Sequence, residues 1–304
     1  MITLTENTRG ALLMTAAMAF FTVNDAFMKA AMAEASLMQA IFLRSIVVVP
    51  LMVVLCRVLG QLRFSLPRRD WMLIVIRTLA EMLGALFFIS ALRHLPLANV
   101  SAILQSLPLT VSLAAALVFR EPLGWRRMTA IAVGFIGVML IVRPGGADFN
   151  VYSLLAVATV LVVTVRDLAA RRMSPAVPST FVGLASGVGV LGMSAIGLLF
   201  DSWEPLDAPT LLKLVGAAVF VIGGYVFSVA AMRVGEISAV APFRYTSLLV
   251  ALILGFVMFG EVPQLLTWIG AGIVVAMGLF TLYRERVLRL RQRAVPGARN
   301  APGV

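Results

Sequence analysis

The sequence has few of the residues that bind metals and carry out catalysis. Of its 304 residues, Cys56 is the only cysteine and His94 is the only histidine. One cysteine cannot form a disulfide within the chain, which excludes a disulfide-stabilised scaffold. One histidine argues against histidine-rich metal sites and against Ser-His-Asp hydrolysis. The sequence also lacks phosphate-binding glycine loops and the His-Glu-x-x-His and Gly-x-Ser-x-Gly motifs, so we predict no metal and no cofactor.

Charged residues are scarce as well. They make up 13% of the chain, whereas a soluble domain has about 25%. Hydrophobic residues reach 61%, and the mean hydropathy is +1.00. No stretch of ordinary composition is long enough to fold as a separate soluble domain. This composition excludes a soluble enzyme held by a membrane anchor, and it predicts an all-α integral membrane protein.

Long apolar segments recur along the whole chain. A helix needs roughly 20 mostly apolar residues to cross a hydrocarbon core of about 30 Å. Ten segments meet this requirement, and short loops join them. The predicted spans are 10–30, 37–57, 71–92, 96–119, 126–143, 150–170, 178–200, 211–232, 236–259 and 264–283. We therefore predict ten transmembrane helices with the lipid bilayer around them.

The positive charge is unevenly distributed between the two sides of these spans. A net charge of +11 would suit a nucleic-acid binder, but here the arginines lie mainly in short loops and a tail, as in membrane proteins. With both termini in the cytoplasm, seventeen arginines fall on the cytoplasmic side. The outer side then has four basic residues, Lys29, Arg93, Arg143 and Lys213. We therefore expect no nucleic-acid partner and place both termini in the cytoplasm.

The two halves of the sequence resemble each other. At an offset of 142, Thr22-Val23-Asn24-Asp25 with Lys29 aligns with Thr164-Val165-Arg166-Asp167 with Arg171. At an offset of 140, Phe119-Arg120-Glu121 aligns with Phe259-Gly260-Glu261. Each half has five spans, and because five is odd the halves enter the membrane from opposite sides. This pattern predicts two inverted five-helix repeats, a common plan for secondary transporters.

Four segments follow from this pattern. Residues 1–9 are a cytoplasmic N-terminus, 10–143 and 150–283 are the two repeats, and 284–304 are a basic cytoplasmic tail. We expect the arginines of the tail to lie on the anionic inner leaflet. We expect the last residues, Pro296 to Val304, to be disordered.

Four motifs stand out along the two halves. They are Ala91-Leu92-Arg93-His94-Leu95-Pro96-Leu97-Ala98-Asn99-Val100, Leu117-Val118-Phe119-Arg120-Glu121-Pro122-Leu123-Gly124-Trp125, Pro242-Phe243-Arg244-Tyr245-Thr246-Ser247 and Phe259-Gly260-Glu261. Together with the repeat, these motifs resemble the EamA-type members of the drug/metabolite transporter superfamily. The resemblance implies a ten-helix transporter in a bacterial cytoplasmic (inner) membrane. It leaves the substrate open, since such proteins carry amino acids, nucleotide-like cofactors, polyamines, vitamins and drugs.

Ionisable residues inside the spans are the candidate functional residues, because each costs on the order of 2.5–3.5 kcal/mol at the centre of a helix. Glu81 lies eleven residues beyond Asp70, roughly 16 Å into the third span and close to the midplane. Arg77 lies one turn earlier. Either the two form a buried structural ion pair, or they bind substrate and a proton. Arg44, about 10 Å from the outer side, either binds substrate or extends to the surface.

Asp25 and Asp167 occupy equivalent positions of the repeat, and each precedes a basic residue by four, Lys29 and Arg171 respectively. This spacing favours ion pairs on the helix surface. The alternative is that both acids are gate or proton sites on opposite sides of one pathway. Arg166 is expected to extend its side chain to the cytoplasmic surface.

Two spans are expected to be interrupted by proline. Pro242 precedes Arg244 by two residues, and Pro108 interrupts the corresponding fourth helix near Gln105. A cation beside an interrupted helix suits a substrate carboxylate or phosphate; alternatively, Arg244 binds carbonyls of another helix. Tyr245 either stacks on a planar substrate or packs in the core.

We therefore predict a secondary transporter of a small polar, anionic or zwitterionic metabolite that works by alternating access. Arg44, Arg77, Gln105, Arg244 and Tyr245 are the predicted substrate-binding residues, and Asp25, Glu81 and Asp167 the predicted proton-coupling or gating residues. Export of an amino acid or related metabolite is the first prediction. Import of a cofactor or vitamin such as S-adenosylmethionine or riboflavin is the alternative.

Two other classes of protein compete with a transporter. An intramembrane enzyme is disfavoured because the sequence offers no set of nucleophile, base and orienting residue. A non-transporting sensor or structural protein would not need buried charges such as Arg77, Glu81 and Arg244. Monomer and homodimer both remain open.

Overall fold

The computed structural model describes residues 6–120, 124–145, 149–234 and 240–294. In these ranges the chain forms eleven α-helices and one short 3-10 helix, and no β-strand. The α-helices are α1 Glu6–Ala31, α2 Leu37–Val58, α3 Arg68–His94, α4 Leu97–Leu104, α5 Leu107–Phe119, α6 Trp125–Val142, α7 Tyr152–Arg172, α8 Ser179–Gly197, α9 Ala208–Val234, α10 Thr246–Phe259 and α11 Leu265–Ala294. The 3-10 helix Ala241–Tyr245 directly precedes α10. The predicted all-α class is confirmed.

Ten helical stretches among the described residues are long and apolar enough to cross a membrane, which confirms the predicted ten spans. The fourth span, Leu97–Phe119, comprises α4 and α5, and the ninth, Ala241–Phe259, comprises the 3-10 helix and α10. α11 continues past the predicted end at residue 283 as far as Ala294, so the tail begins as helix. Residues 295–304, which include the tail end expected to be disordered, lie outside the described residues.

The two interruptions lie where the prolines predict them. α4 ends at Leu104, and α5 has Pro108 in its first turn. The 3-10 helix that begins the ninth span has Pro242 in its first turn. Proline is tolerated in the first turn because the N–H that it lacks would have no partner there, whereas in a helix interior it would remove a hydrogen bond.

The main helix contacts join the two halves of the chain. The most extensive packing is between α1 and α9, between α3 and α7, between α6 and α11, and between α2 and α8. In the repeat, α1 of the first half corresponds to α7 of the second, and α3 corresponds to α9. Exchanging the two halves therefore converts the α1–α9 pair into the α7–α3 pair. The α2–α8 and α6–α11 pairs each join two corresponding helices, so the exchange leaves them unchanged. A chain of two similar five-helix halves would give such an exchange, although which helices pair cannot be derived from the sequence repeat alone.

Small residues let the paired helices approach closely. Along the α1–α9 contact, Phe20 lies 5.0 Å from Phe220 between ring centroids, and Phe27 lies 5.6 Å from Phe220. Gly223 and Gly224 provide room for the rings of α1, because a Cβ at Gly224 would meet a neighbouring phenylalanine ring at 2.8 Å. Such close packing holds helices together where lipid removes the hydrophobic driving force between them.

The α6–α11 contact is closer still, since there a glycine lies against backbone. A Cβ added at Gly137 would lie 2.8 Å from the carbonyl oxygen of Gly270. The contact cannot be relieved by a side-chain rotation, so the helices would have to separate. By contrast, Gly272, on the same helix as Gly270, has open space where a Cβ would be placed.

We expect Gly137→Ala to destabilise the folded protein by about 1–3 kcal/mol because it overpacks this contact. The measurement is the thermal unfolding midpoint of the purified protein in detergent. Gly272→Ala is the matched control and should leave the midpoint unchanged or raise it, because alanine favours helix over glycine. Equal midpoints for both variants would contradict the close α6–α11 contact.

Candidate functional site

Charged side chains meet inside the bundle, away from its ends. They come from α1, α2, α3 and α7, which pack against one another or against α8 and α9. The group, here called the interior charge network, consists of Asp25, Arg44, Arg77, Glu81, Arg166 and Asp167. With three acids and three arginines it is formally neutral. Five of these residues are predicted site residues, and Arg166 is the addition.

Glu81 lies at the centre of the network. It is thirteen residues from either end of α3, about 20 Å along the axis, so it cannot reach either surface. Its Oε2 lies 3.3 Å from Nη1 of Arg166 and 3.9 Å from Nη1 of Arg77. The ion pair with Arg77 that was one interpretation of the sequence is therefore present, but the shorter contact is with Arg166 on another helix.

Arg166 does not extend to the surface, so that prediction is wrong. Besides Glu81, it pairs with its neighbour Asp167, with 2.9 Å between Nη2 and Oδ1. The reason is tertiary: α3 packs along α7 and places a carboxylate beside the guanidinium. The two carboxylates compensate the charge of Arg166 inside the bundle, so its side chain does not have to extend to the membrane–water interface. The pairing of α3 with α7 cannot be inferred from residue spacing along α7.

Arg77 connects the network to α8. Its Nη1 donates to Oγ of Ser186 at 2.6 Å, a shorter contact than its 3.9 Å separation from Glu81. Ser186 itself is buried, with 4% of its surface exposed. The residue was not predicted from the sequence, because a serine in an apolar helix has no distinguishing pattern. Its position beside Arg77 becomes visible only when α3 and α8 pack together.

Asp25 and Arg44 lie on either side of Asn24. The Nδ2 of Asn24 donates to Oδ1 of Asp25 at 2.8 Å, and Oδ1 of Asn24 accepts from Nη1 of Arg44 at 3.5 Å. The predicted surface ion pair of Asp25 with Lys29 is wrong, because Lys29 pairs with Glu261 of the second half instead. Asn24 was not predicted, although it belongs to the repeated sequence motif.

Lys29 is the centre of a second polar contact at the end of α1. Its Nζ lies 2.7 Å from Oε1 of Glu261, donates to the carbonyl of Leu95 and lies 5.3 Å from the ring centroid of Phe259. The other carboxylate oxygen of Glu261 accepts from the backbone N–H of Leu97 at 2.7 Å. The Lys29–Glu261 pair thus joins the first half of the chain to the segment between α10 and α11.

The predicted site residues of the interrupted spans make contacts of their own. Nε2 of Gln105 donates to Oγ of Ser247 at 2.6 Å, which bonds the two interruptions to each other. Arg244 is exposed, and Tyr245 is buried beside Gly278 with no hydrogen-bond partner for its hydroxyl among the described residues. None of the described hydrogen bonds or ion pairs connects Gln105, Arg244 or Tyr245 to the network, and their role in substrate binding stays a prediction.

Four side chains of the network are partly buried. The exposed fractions of its side chains are 19% for Arg77, 23% for Arg166, 31% for Glu81 and 34% for Asp167. Each of them also contacts another side chain of the network. Such partly exposed side chains can bind a small ionic molecule through charge-assisted hydrogen bonds. Among the described residues, no three His, Cys, Asp or Glu side chains lie close enough to hold a metal ion.

Solved structures support the fold independently of this geometry. A crystal structure of a protein with 19% sequence identity superposes with a TM-score of 0.62, over 94% of this chain and 99% of that chain. At this level of identity the likeness shows the ten-helix fold alone.

Characterised relatives are transporters. The chain is 29% identical to the riboflavin transporter of Vibrio cholerae, over 73% of this chain and 74% of the relative. It is 27% identical to the S-adenosylmethionine uptake transporter of Rickettsia bellii, over 70% and 72%. It is 26% identical to the pseudopaline exporter of Pseudomonas aeruginosa, over 91% and 96%.

The family profile covers nearly the whole chain. The profile of the EamA-like transporter family matches residues 8–143 and 150–283. These ranges include every residue of the interior charge network and both interrupted spans. The chain therefore belongs to the EamA-like transporter family of the drug/metabolite transporter superfamily, and it is a multi-pass membrane transporter rather than an enzyme.

Proposed function

We propose that this protein is a secondary transporter that exports a small charged metabolite across a bacterial cytoplasmic membrane by alternating access. The observation that carries the proposal is the interior charge network: four of its side chains are partly accessible within membrane spans, and Glu81 among them is thirteen residues from either end of α3. Each such charge costs on the order of 2.5–3.5 kcal/mol near the centre of a span, so a chain without need of them would replace them with apolar residues.

The balance of charges indicates the class of substrate. Three guanidinium groups suit a carboxylate or phosphate, and three carboxylates suit an ammonium group. A substrate with groups of both signs fits this arrangement, so we propose an amino acid or a related metabolite. Within the network, Glu81, Asp25 and Asp167 are also the candidates for proton coupling, because an arginine side chain stays protonated and only the carboxylates can take up and release a proton.

The relatives support both directions of transport. Export is favoured because the pseudopaline exporter aligns over 91% of the chain, more than the 73% and 70% of the two other relatives. Uptake of riboflavin or S-adenosylmethionine is the second candidate, favoured by the higher identity of the riboflavin transporter, 29% against 26%. Export and uptake would use the same binding site and the same alternating-access cycle, run in opposite directions.

In alternating access, the substrate pathway is closed at one end of the bundle while it is open at the other. We propose that the Lys29–Glu261 pair closes the pathway at the end where α1 ends. The two side chains are only 12% and 15% exposed, and they belong to opposite halves of the chain. The backbone contacts with Leu95 and Leu97 bring the link between α3 and α4 into the same closure. Rocking of one half against the other would have to break this pair.

The first expected outcome concerns transport itself. Overproduction of the wild type should enrich one compound in the medium, and Glu81→Gln combined with Arg166→Gln should lower that enrichment about tenfold or more, since two charges that could form charge-assisted hydrogen bonds with the substrate are removed. The measurement is a metabolite comparison of cells and medium at equal protein levels. Arg57→Gln, an exposed arginine at the end of α2, is the control.

Three other results are informative. Enrichment inside the cells would establish the uptake candidate. Equal profiles for wild type and the double variant would show that the network is structural. No difference between wild type and empty cells in any nutrient condition would favour a non-transporting sensor.

The second expected outcome concerns closure. In a Cys56→Ala background, Lys29→Cys with Glu261→Cys should allow a short thiol crosslink between the halves. The crosslink should stop transport, because the pair could no longer separate, and reduction should restore it. Each single-cysteine variant treated with the same reagent is the control. Full transport by the crosslinked protein would contradict the proposed closure.

The third expected outcome concerns orientation. In the same background, Ser202→Cys, in the exposed loop between α8 and α9, should react with a membrane-impermeant thiol reagent added to intact cells. Ser65→Cys, in the exposed loop between α2 and α3, should react only after lysis. The reverse result would place both termini outside and overturn the orientation that the arginine distribution predicts.

A further inference from the structure

The arginines of the interior charge network differ in how far their charge is compensated. Arg166 has Glu81 and Asp167 within 4 Å, and Arg77 has Glu81. Arg44 has no carboxylate within 4 Å among the described residues. Its Nη1 reaches only Asn24, at 3.5 Å, and its buried Nε has no described hydrogen-bond partner.

The acids of the network show the matching difference. Glu81 and Asp167 both pair with Arg166. Asp25 has no basic group within 4 Å among the described residues, because Lys29, one turn further along α1, pairs with Glu261. Its one described hydrogen bond comes from Asn24, at 2.8 Å. The network thus contains one cation and one anion that lack direct partners.

These two groups are neighbours held apart by an amide. Arg44 interacts electrostatically with Asp25, yet Asn24 lies between them. It offers its carbonyl oxygen to the cation and its NH₂ group to the anion. Burying two charges without a direct ion pair is expensive, whereas charge-assisted hydrogen bonds to both would recover the loss.

We propose that Asp25, Asn24 and Arg44 form the recognition site for the two charged groups of an α-amino acid or a close derivative. The ligand's carboxylate would bind Arg44 in place of the side-chain carbonyl of Asn24. The ligand's ammonium group would bind Asp25 in place of the side-chain NH₂ group of Asn24. A guanidinium binds a carboxylate through two parallel hydrogen bonds, which the free Nε makes available. The more fully paired Arg77, Glu81, Arg166 and Asp167 then line the pathway.

The position of this site fits the proposed closure. Asp25 is six residues from the end of α1 and Arg44 is seven from the start of α2, so both lie about 10 Å inside the same end of the bundle. Lys29 lies one turn from Asp25 in the direction of that end. A ligand bound at Asp25 and Arg44 would therefore lie directly beneath the Lys29–Glu261 pair. This inference rests on the proposed transport function and specifies its substrate.

The experiment compares ligands that differ by one charged group. The wild-type protein is reconstituted in lipid nanodiscs, and its thermal midpoint is measured with each of the twenty amino acids. Every amino acid that stabilises the protein is compared with its α-amide, which lacks the carboxylate, and with its deaminated acid, which lacks the ammonium group. We expect the complete zwitterion to bind about tenfold or more tightly than either analogue, the size typical of a lost charged hydrogen bond.

Two variants test the assignment of residues. Asp25→Asn should remove the preference for the ammonium group, so that the deaminated acid binds as well as the amino acid. Arg44→Gln should remove the preference for the carboxylate, so that the α-amide binds as well. If Arg44→Gln does not fold, Arg44→Lys should still weaken this preference, because an ammonium cannot bind a carboxylate through two parallel hydrogen bonds. Glu204→Gln and Arg57→Gln, both exposed, are the controls.

Several outcomes would overturn the inference. One is that no amino acid stabilises the protein. Another is that the wild type binds the amino acid, its α-amide and its deaminated acid equally well. A third is that both variants lose affinity for all three ligands to the same extent. If the metabolite comparison still finds a Glu81-dependent compound without the two α-groups, the transport function stands and this site assignment fails. If no compound is transported, the proposed function fails first.

Discussion

A charge among apolar helices has to find its counter-charge within the bundle, and this constraint determines the arrangement of the whole interior. Glu81 is too far from either surface to reach water along its own helix, so α3 has to pack where another helix brings a cation. α7 supplies Arg166, which in turn needs Asp167 beside it. The contact between α3 and α7 is therefore both a packing contact and an electrostatic one.

The repeat explains the scaffold, and departures from it create the site. Helices of the two halves pack in pairs that exchange with each other, but the polar side chains on them do not follow the same symmetry. The position equivalent to Arg44 in the second half is Ser186, and the position equivalent to Asn24 is Arg166. The first half thus contributes Asn24 and Arg44 to the interior, whereas the second half contributes Arg166 and Ser186 at the equivalent positions. The polar side chains of the two halves are therefore not interchangeable, even though the helices that carry them pack in equivalent ways.

Hydropathy and proline positions predicted the spans and their two interruptions, because both depend on properties that are local in sequence. Five of the six residues in the interior charge network were also selected from the sequence, Arg44, Arg77 and Glu81 by their depth in a span and Asp25 and Asp167 by their equivalent positions in the repeat. Their partners were predicted less well. The four-residue spacing of Asp25 and Lys29 suggested an ion pair, yet Glu261, more than two hundred residues away in sequence, takes Lys29. Asn24 lies in the repeated motif but is replaced there by Arg166, and Ser186 is an ordinary serine in an apolar helix, so neither residue could be singled out before the packing of the helices was known.

The hydrogen bond between Gln105 and Ser247 has a consequence for synthesis of the protein. The fourth span enters the membrane with its interruption complete, whereas Ser247 is added only after 142 further residues. During that interval the amide of Gln105 has to be satisfied by water, by lipid headgroups or by the insertion machinery. Only when the ninth span is inserted can Gln105 form its hydrogen bond with Ser247, so the two interrupted spans become bonded to each other late in synthesis.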